Sequence, residues 1–193
     1  MAKRTYYLCY NYHFQTVWFR VAKVGSRTIH QHFLEHTPDN QYIYSSEVGY
    51  VPSLLKGFFK FAFVRNPLDR FVSAWKDKVL RQNYFQFSPA AWKHYQELSA
   101  FIEWVEQQDL TACDEHLRTQ TSLIDLNQVD FLGRFESFEA DYHRLATTIG
   151  LPIQWQHHKN ATPKTPVKLT TEQEARLRTL YAHDLQILYP HLR

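Results

Sequence analysis

Two patterns alternate along this chain: short β-branched or continuous apolar runs, and stretches whose apolar residues recur at helical spacing. Thr16–Ala22 (TVWFRVA) mixes β-branched and aromatic residues and reads as a strand. Lys23-Val24-Gly25-Ser26 breaks it, and Arg27–His36 follows with Ile29 and Phe33 at helical spacing. The same grammar returns at Phe59–Val64 (FKFAFV), an unbroken run of the buried-strand type. It stops at Arg65-Asn66-Pro67, where Asn66 suits an N-cap and Pro67 a first helical position. In the predicted helix, Leu68, Phe71, Val72, Trp75 and Val79 share one face, and Asn66, Arg70, Ser73 and Asp77 the other.

Further helices are predicted at Leu98–Val105, with Leu98, Phe101, Ile102 and Val105 inward, and at Asp114–Ile124. A short strand is expected at Tyr42–Tyr44 and another at Val129–Phe135. Ser137 opens a helix carrying Phe138, Tyr142, Leu145 and Ile149, which Gly150 and Pro152 stop. Gln154–Val167 has two prolines and no clear period, and reads as a long loop or a short hairpin. Thr170 and Gln173 form a capping-box pattern opening one last helix, which ends before Pro190. Strands alternating with helices predict an α/β fold: a three-layer, P-loop-like parallel sheet flanked by helices, in a single domain over 1–193.

Composition narrows the class. Hydrophobic residues make up 44% of 193, enough for a packed core and unlike a disordered chain. The net charge of +3 is too small to point to nucleic acid, which is not expected as a partner. Two cysteines outside any CxxC pattern argue against a disulfide scaffold, and no histidine or cysteine spacing suggests a metal. No secretion signal and no run of about 18 apolar residues is read, so a cytoplasmic location is the expectation.

In open α/β sheets ligands bind outside the carboxyl ends of strands. Lys23-Val24-Gly25-Ser26-Arg27-Thr28 lies at such an end and opens a helix, where unpaired N–H groups favour an anion. Gly25 allows close backbone approach, Ser26 and Thr28 add hydroxyls, and Lys23 and Arg27 add charge. Arg65, Arg70 and Ser73 give a second strand end guanidinium and hydroxyl donors suited to a phosphate monoester. Alone, each segment is equally an ordinary turn or a capped helix with a solvated face.

Together and in this order, KVGSRT at 23–28 and RNPLDRFVSAW at 65–75 resemble the donor-binding motifs of sulfotransferases that use 3′-phosphoadenosine 5′-phosphosulfate (PAPS). Asp114–Gln120 (DEHLRTQ) resembles the His-Trp-x-Pro-Gln motif of carbohydrate sulfotransferases, with Leu117 for Trp and Thr119 for Pro. Phe131–Glu136 (FLGRFE) is similar to their Gly-Lys-Phe-Glu strand. Golgi members carry a membrane anchor and stem, and neither is expected here.

The resemblance implies that Lys23 neutralises charge on the leaving oxygen while Val24, Gly25, Ser26, Arg27 and Thr28 hold the 5′-phosphate. It implies that Arg65 and Ser73, with Arg70 nearby, hold the 3′-phosphate and that Lys164 lies in a late loop over the nucleotide. No metal is implied. The acceptor is a hydroxyl, by family likeness on a saccharide, and its general base is Glu47 or His116, with Glu47 slightly preferred. Arg118 and Gln120 would shape a pocket. Aromatic residues at Tyr84, Phe85, Phe87, Trp92 and Tyr95 could stack on a sugar or pack a core. Two other readings stay open: a P-loop-type kinase, disfavoured by the missing GxxxxGK[ST], and a non-catalytic nucleotide-binding module.

Overall fold

The computed structural model describes residues 5–153 and 167–192. In chain order its elements are β1 Thr5–Asn11, β2 Thr16–Phe19, α1 Ser26–His36, β3 Tyr42–Gly49, β4 Phe59–Val64 and α2 Pro67–Trp75. There follow α3 Pro89–Tyr95, α4 Leu98–Glu106, α5 Gln120–Leu123, β5 Phe131–Arg134, α6 Phe138–Ile149, α7 Thr171–Leu180 and α8 Ala182–Leu188. Contacts divide the described residues into two compact units, 5–65 with 120–153 and 66–119 with 167–192.

The first unit is a five-stranded sheet flanked by helices, in the order β3-β1-β2-β4-β5. It is mixed, which corrects the expectation of a parallel sheet. β2, β4 and β5 run parallel, whereas β1 is antiparallel to both β2 and β3. β1 lacks the apolar run that marks a buried strand. Its sequence TYYLCYN buries Tyr6, Leu8, Cys9 and Asn11, so tyrosines and an asparagine stand where aliphatics would signal a strand. β3 extends to Gly49, so Glu47 lies within the strand and not after it.

α1 and α6 pack on the sheet face presented by Phe61 and Phe63. The Phe33 ring of α1 stacks 5.9 Å from Phe61, and Phe138 of α6 lies 5.2 Å from Phe63. His32 and Tyr142 join the two helices through a buried 2.8 Å hydrogen bond. Gly150 ends α6 in the left-handed conformation, φ 73°, as a glycine C-cap does. Gly133 touches the Phe63 ring: a Cβ there would lie 2.4 Å from Phe63 Cε1, so only glycine lets β5 lie so close to that ring.

The second unit is helical. Asn66 caps α2 by accepting from the Leu68 N–H, with Pro67 at the first position, as the sequence indicates. α2 continues into a π-helical turn at Lys76–Leu80. Leu98, Phe101, Ile102 and Val105 of α4 are all buried, and the Thr170–Gln173 capping box is formed. The expected last helix is two, because the backbone departs from helix at Tyr181 (φ −105°, ψ 25°). The expected helix from Asp114 shrinks to Gln120–Leu123; residues 114–119 form turns whose carbonyls are taken by side chains.

Candidate active site

Strand pairing gathers one group of candidates at a single end of the sheet. The carboxyl ends of β2, β4 and β5 coincide because these strands are parallel. β3 also points that way, being antiparallel to β1: Glu47 pairs with Tyr7, and the Tyr7 carbonyl accepts from Arg20 N–H just before the loop. Lys23–Thr28, Arg65 and Glu47 therefore share the end where open α/β sheets bind ligands.

The loop after β2 has the backbone of an anion cradle. Lys23 (φ 72°) and Gly25 (φ 88°) are both left-handed and flank Val24, whose side chain is fully buried. Alternating handedness of this kind turns successive N–H groups toward one concavity, which α1 extends with its N-terminus. No acidic residue stands in the first turn of α1. The left-handed region costs a lysine on the order of 1–3 kcal/mol, so surrounding contacts hold it there. Ser26 Oγ donates to the Val21 carbonyl at 2.7 Å, closing the turn, while Arg27 is exposed and Thr28 partly so.

Arg65 ties the two strand ends together. One terminal guanidinium nitrogen donates to the Lys23 carbonyl at 3.2 Å, and the guanidinium lies 4.3 Å over the Phe135 ring. Its backbone is fixed by fully buried Gln120: the amide oxygen accepts from Arg65 N–H at 2.9 Å, and the amide nitrogen donates to Arg65 O at 2.8 Å. Gln120, expected to shape a pocket, thus positions Arg65. Glu47 is exposed on edge strand β3 and accepts from Thr5 Oγ1 at 2.8 Å.

The second unit holds Arg70, Ser73 and His116. Arg70 does not share the solvated face expected of it. Pro67, Leu68, Arg70, Phe71, Ala74 and Trp75 are all buried, so α2 is covered over more than its apolar stripe. The Arg70 guanidinium is 1% exposed and donates to the carbonyls of Arg118 and Glu115, both at 2.7 Å. Its contacts fix the 114–119 turns. Ser73 is half-buried on the same helix. Arg118 turns back on its own loop, donating to the carbonyls of Cys113 and Ala112.

His116 is held by Asp114. One carboxylate oxygen accepts from His116 N–H at 3.0 Å and lies 2.7 Å from ring Nδ1. The other accepts from the Tyr84 hydroxyl at 3.1 Å. Burial alone would raise the Asp114 carboxyl, but hydrogen bonds from the His116 ring and backbone outweigh it and hold the group below its ordinary value. Of the aromatics weighed for sugar stacking, Phe85, Phe87 and Tyr95 pack around Trp104, and Trp92 donates to the Val79 carbonyl. Tyr84 departs from that core packing.

Lys164 lies outside the described residues. Among the described residues no group of three or more His, Cys, Asp or Glu could hold a metal, and no helix is long and apolar enough to cross a membrane. The sequence reading gave Asp114 and Tyr84 no part in holding His116, and it did not foresee Gln120's bond to Arg65. Asp114 two residues before His116 was a visible signal; the other two contacts depend on tertiary structure.

No curated protein and no solved structure matches the chain. A family model described as the sulfotransferase family matches residues 5–190, nearly the whole chain and every segment that carries the motifs. With that span matched from β1 to the last turn, the chain belongs to the sulfotransferase family.

Proposed function

We propose that this protein moves a sulfuryl group from PAPS to a hydroxyl of an acceptor, a saccharide by the likeness of its 114–120 and 131–136 segments to carbohydrate sulfotransferases. The carrying observation is the cradle at Lys23–Gly25 with Arg65 bound to the Lys23 carbonyl. Its backbone N–H groups and the α1 N-terminus suit the 5′-phosphate, and Lys23 stabilises charge growing on the bridging oxygen as the S–O bond breaks. Arg65, whose planar fork matches a phosphate monoester, takes the 3′-phosphate. On the motif alone, Ser73 contributes to the same task.

The new S–O bond forms to the acceptor oxygen as its proton passes to a base. His116 is our preferred base, since an ionised carboxylate already orients its ring. Glu47 is the second reading, because it shares a sheet end with Lys23 and Arg65. Turnover of 35S-labelled PAPS over a panel of saccharide, phenol and alcohol acceptors tests the reaction. His116→Asn and Glu47→Gln then separate the bases: the true base loses on the order of 10²–10⁴ in kcat. Adenosine 3′,5′-bisphosphate should raise Tm well above the shift given by AMP. Equal shifts would overturn the donor assignment, and magnesium-dependent ATP turnover would favour a kinase.

A further inference from the structure

We infer that Asp114 is a positioning residue, which selects the His116 tautomer with Nδ1–H and leaves Nε2 as the proton acceptor, with Tyr84 anchoring the carboxylate. The inference rests on the reading of His116 as the base, and its test is chosen to fail separately.

The geometry leaves little choice of tautomer. Ionised Asp114 has only acceptor oxygens, so an Nδ1 at 2.7 Å must carry the proton. That same oxygen also accepts from His116 N–H, so the carboxylate grips backbone and ring together. The second oxygen is fixed by Tyr84, whose ring stands edge-on to the imidazole at 5.1 Å. Tyr84 is itself set by the π-helical turn: its N–H donates to Lys78 O, and the Lys78 ammonium lies 4.3 Å over its ring. π-turns are frequent at functional sites, and this one aims Tyr84 at Asp114.

The loop beneath is held by side chains, not by strand or helix. Arg118 takes the carbonyls of Ala112 and Cys113, Arg70 those of Glu115 and Arg118, and Tyr181 donates to Leu117 O at 2.8 Å. With its carbonyls drawn toward these donors, the segment presents Asp114 and His116 in one fixed arrangement. His116 is 12% exposed at its side chain, so the ring is confined but not sealed.

The test compares Asp114→Ala with Asp114→Asn in the intact chain, by 15N NMR of the His116 ring and by steady-state kinetics. Alanine removes the acceptor. The ring should leave the Nδ1–H form, and kcat should fall on the order of 10²–10⁴-fold with acceptor KM changed little. Asparagine keeps the shape but can turn its NH2 toward Nδ1, and a donor there favours the Nε2–H form. It should lose the Nδ1–H tautomer and also fall in kcat on the order of 10²–10⁴-fold. An Nδ1–H tautomer retained in either variant, or kcat unchanged in both, overturns the inference. Should the alanine variant not fold, Tyr84→Phe serves: a kcat loss of about tenfold or less, at constant KM and unchanged Tm, is expected, and unaltered kcat counts against anchoring. Full activity in His116→Asn would instead refute the base assignment, while the NMR result still judges Asp114.

Discussion

Gly25→Ala tests whether the cradle is shaped by its backbone. Two separate costs can be worked out. Gly25 sits at φ +88°, where a Cβ meets the neighbouring backbone, at about 1–2 kcal/mol for a non-glycine residue. A Cβ built there would also lie 2.7 Å from Phe138 Cε2 and 3.1 Å from Cζ. That ring cannot easily retreat, since it stacks on Tyr142 at 5.5 Å and abuts Phe63 at 5.2 Å. Overpacking of this kind costs about 1–3 kcal/mol. The total, about 2–5 kcal/mol, corresponds to a Tm lowered by roughly 4–20 °C in a chain of this size. Calorimetry measures it, and repeating the substitution in a Phe138→Leu background divides it. The smaller side chain should relieve the steric part and leave the conformational part. Ligand-induced stabilisation by adenosine 3′,5′-bisphosphate should fall in both backgrounds, because relaxing the turn re-aims the N–H groups. A Gly25→Ala protein with unchanged Tm and unchanged ligand shift would refute the reasoning.

Tyr181→Phe leaves the buried Leu117 carbonyl without its donor; a loss of about 1–3 kcal/mol is expected by urea unfolding, with no change in fold. Burial pushes the Cys113 thiol up to about 11, opposed by Arg118, so it should react with Ellman's reagent at pH 8 far more slowly than an exposed thiol. Burial also raises Tyr42, Tyr142 and Tyr181 above tyrosine's ordinary value of 10.0. The unfolded chain then loses protons that the folded one keeps, so stability is intact below pH 10 and declines above it; denaturant midpoints from pH 8 to 11 check the sign. Arg65→Ala should weaken adenosine 3′,5′-bisphosphate binding by at least about tenfold in calorimetric titration, with a modest fall in Tm as the bond to the Lys23 carbonyl is lost.

The sequence was most readable where local rules and burial agree. Phe59–Val64 with Asn66-Pro67 marks a strand end and helix start, and the structure places both there. It was least readable where tertiary packing decides. Arg70 has the chemistry of a phosphate ligand, but a helix buried on most of its circumference turns it to carbonyls. The apolar spacing of Asp114–Ile124 suggests helix, yet Asp114 hydrogen-bonds the His116 backbone and Arg70, Arg118 and Tyr181 offer the carbonyls other donors. β1 passes unseen because tyrosines bury an apolar ring under a polar label. The candidate site was legible as a set of motifs; the bonds of Arg65 to the Lys23 carbonyl and to Gln120 were not.

Gln120 carries a consequence of its own. Regular pairing of β4 stops at Val64, opposite Arg134, yet the next residue still exchanges two hydrogen bonds, with an amide side chain in place of a neighbouring strand. One glutamine acts as a single rung of absent sheet. The rung needs a donor and an acceptor side by side, so Glu, Met and Leu, though similar in size, each forfeit one half or both. It also ties the first residue of α5 to the Arg65 backbone, so a four-residue helix and a strand end share one pair of hydrogen bonds.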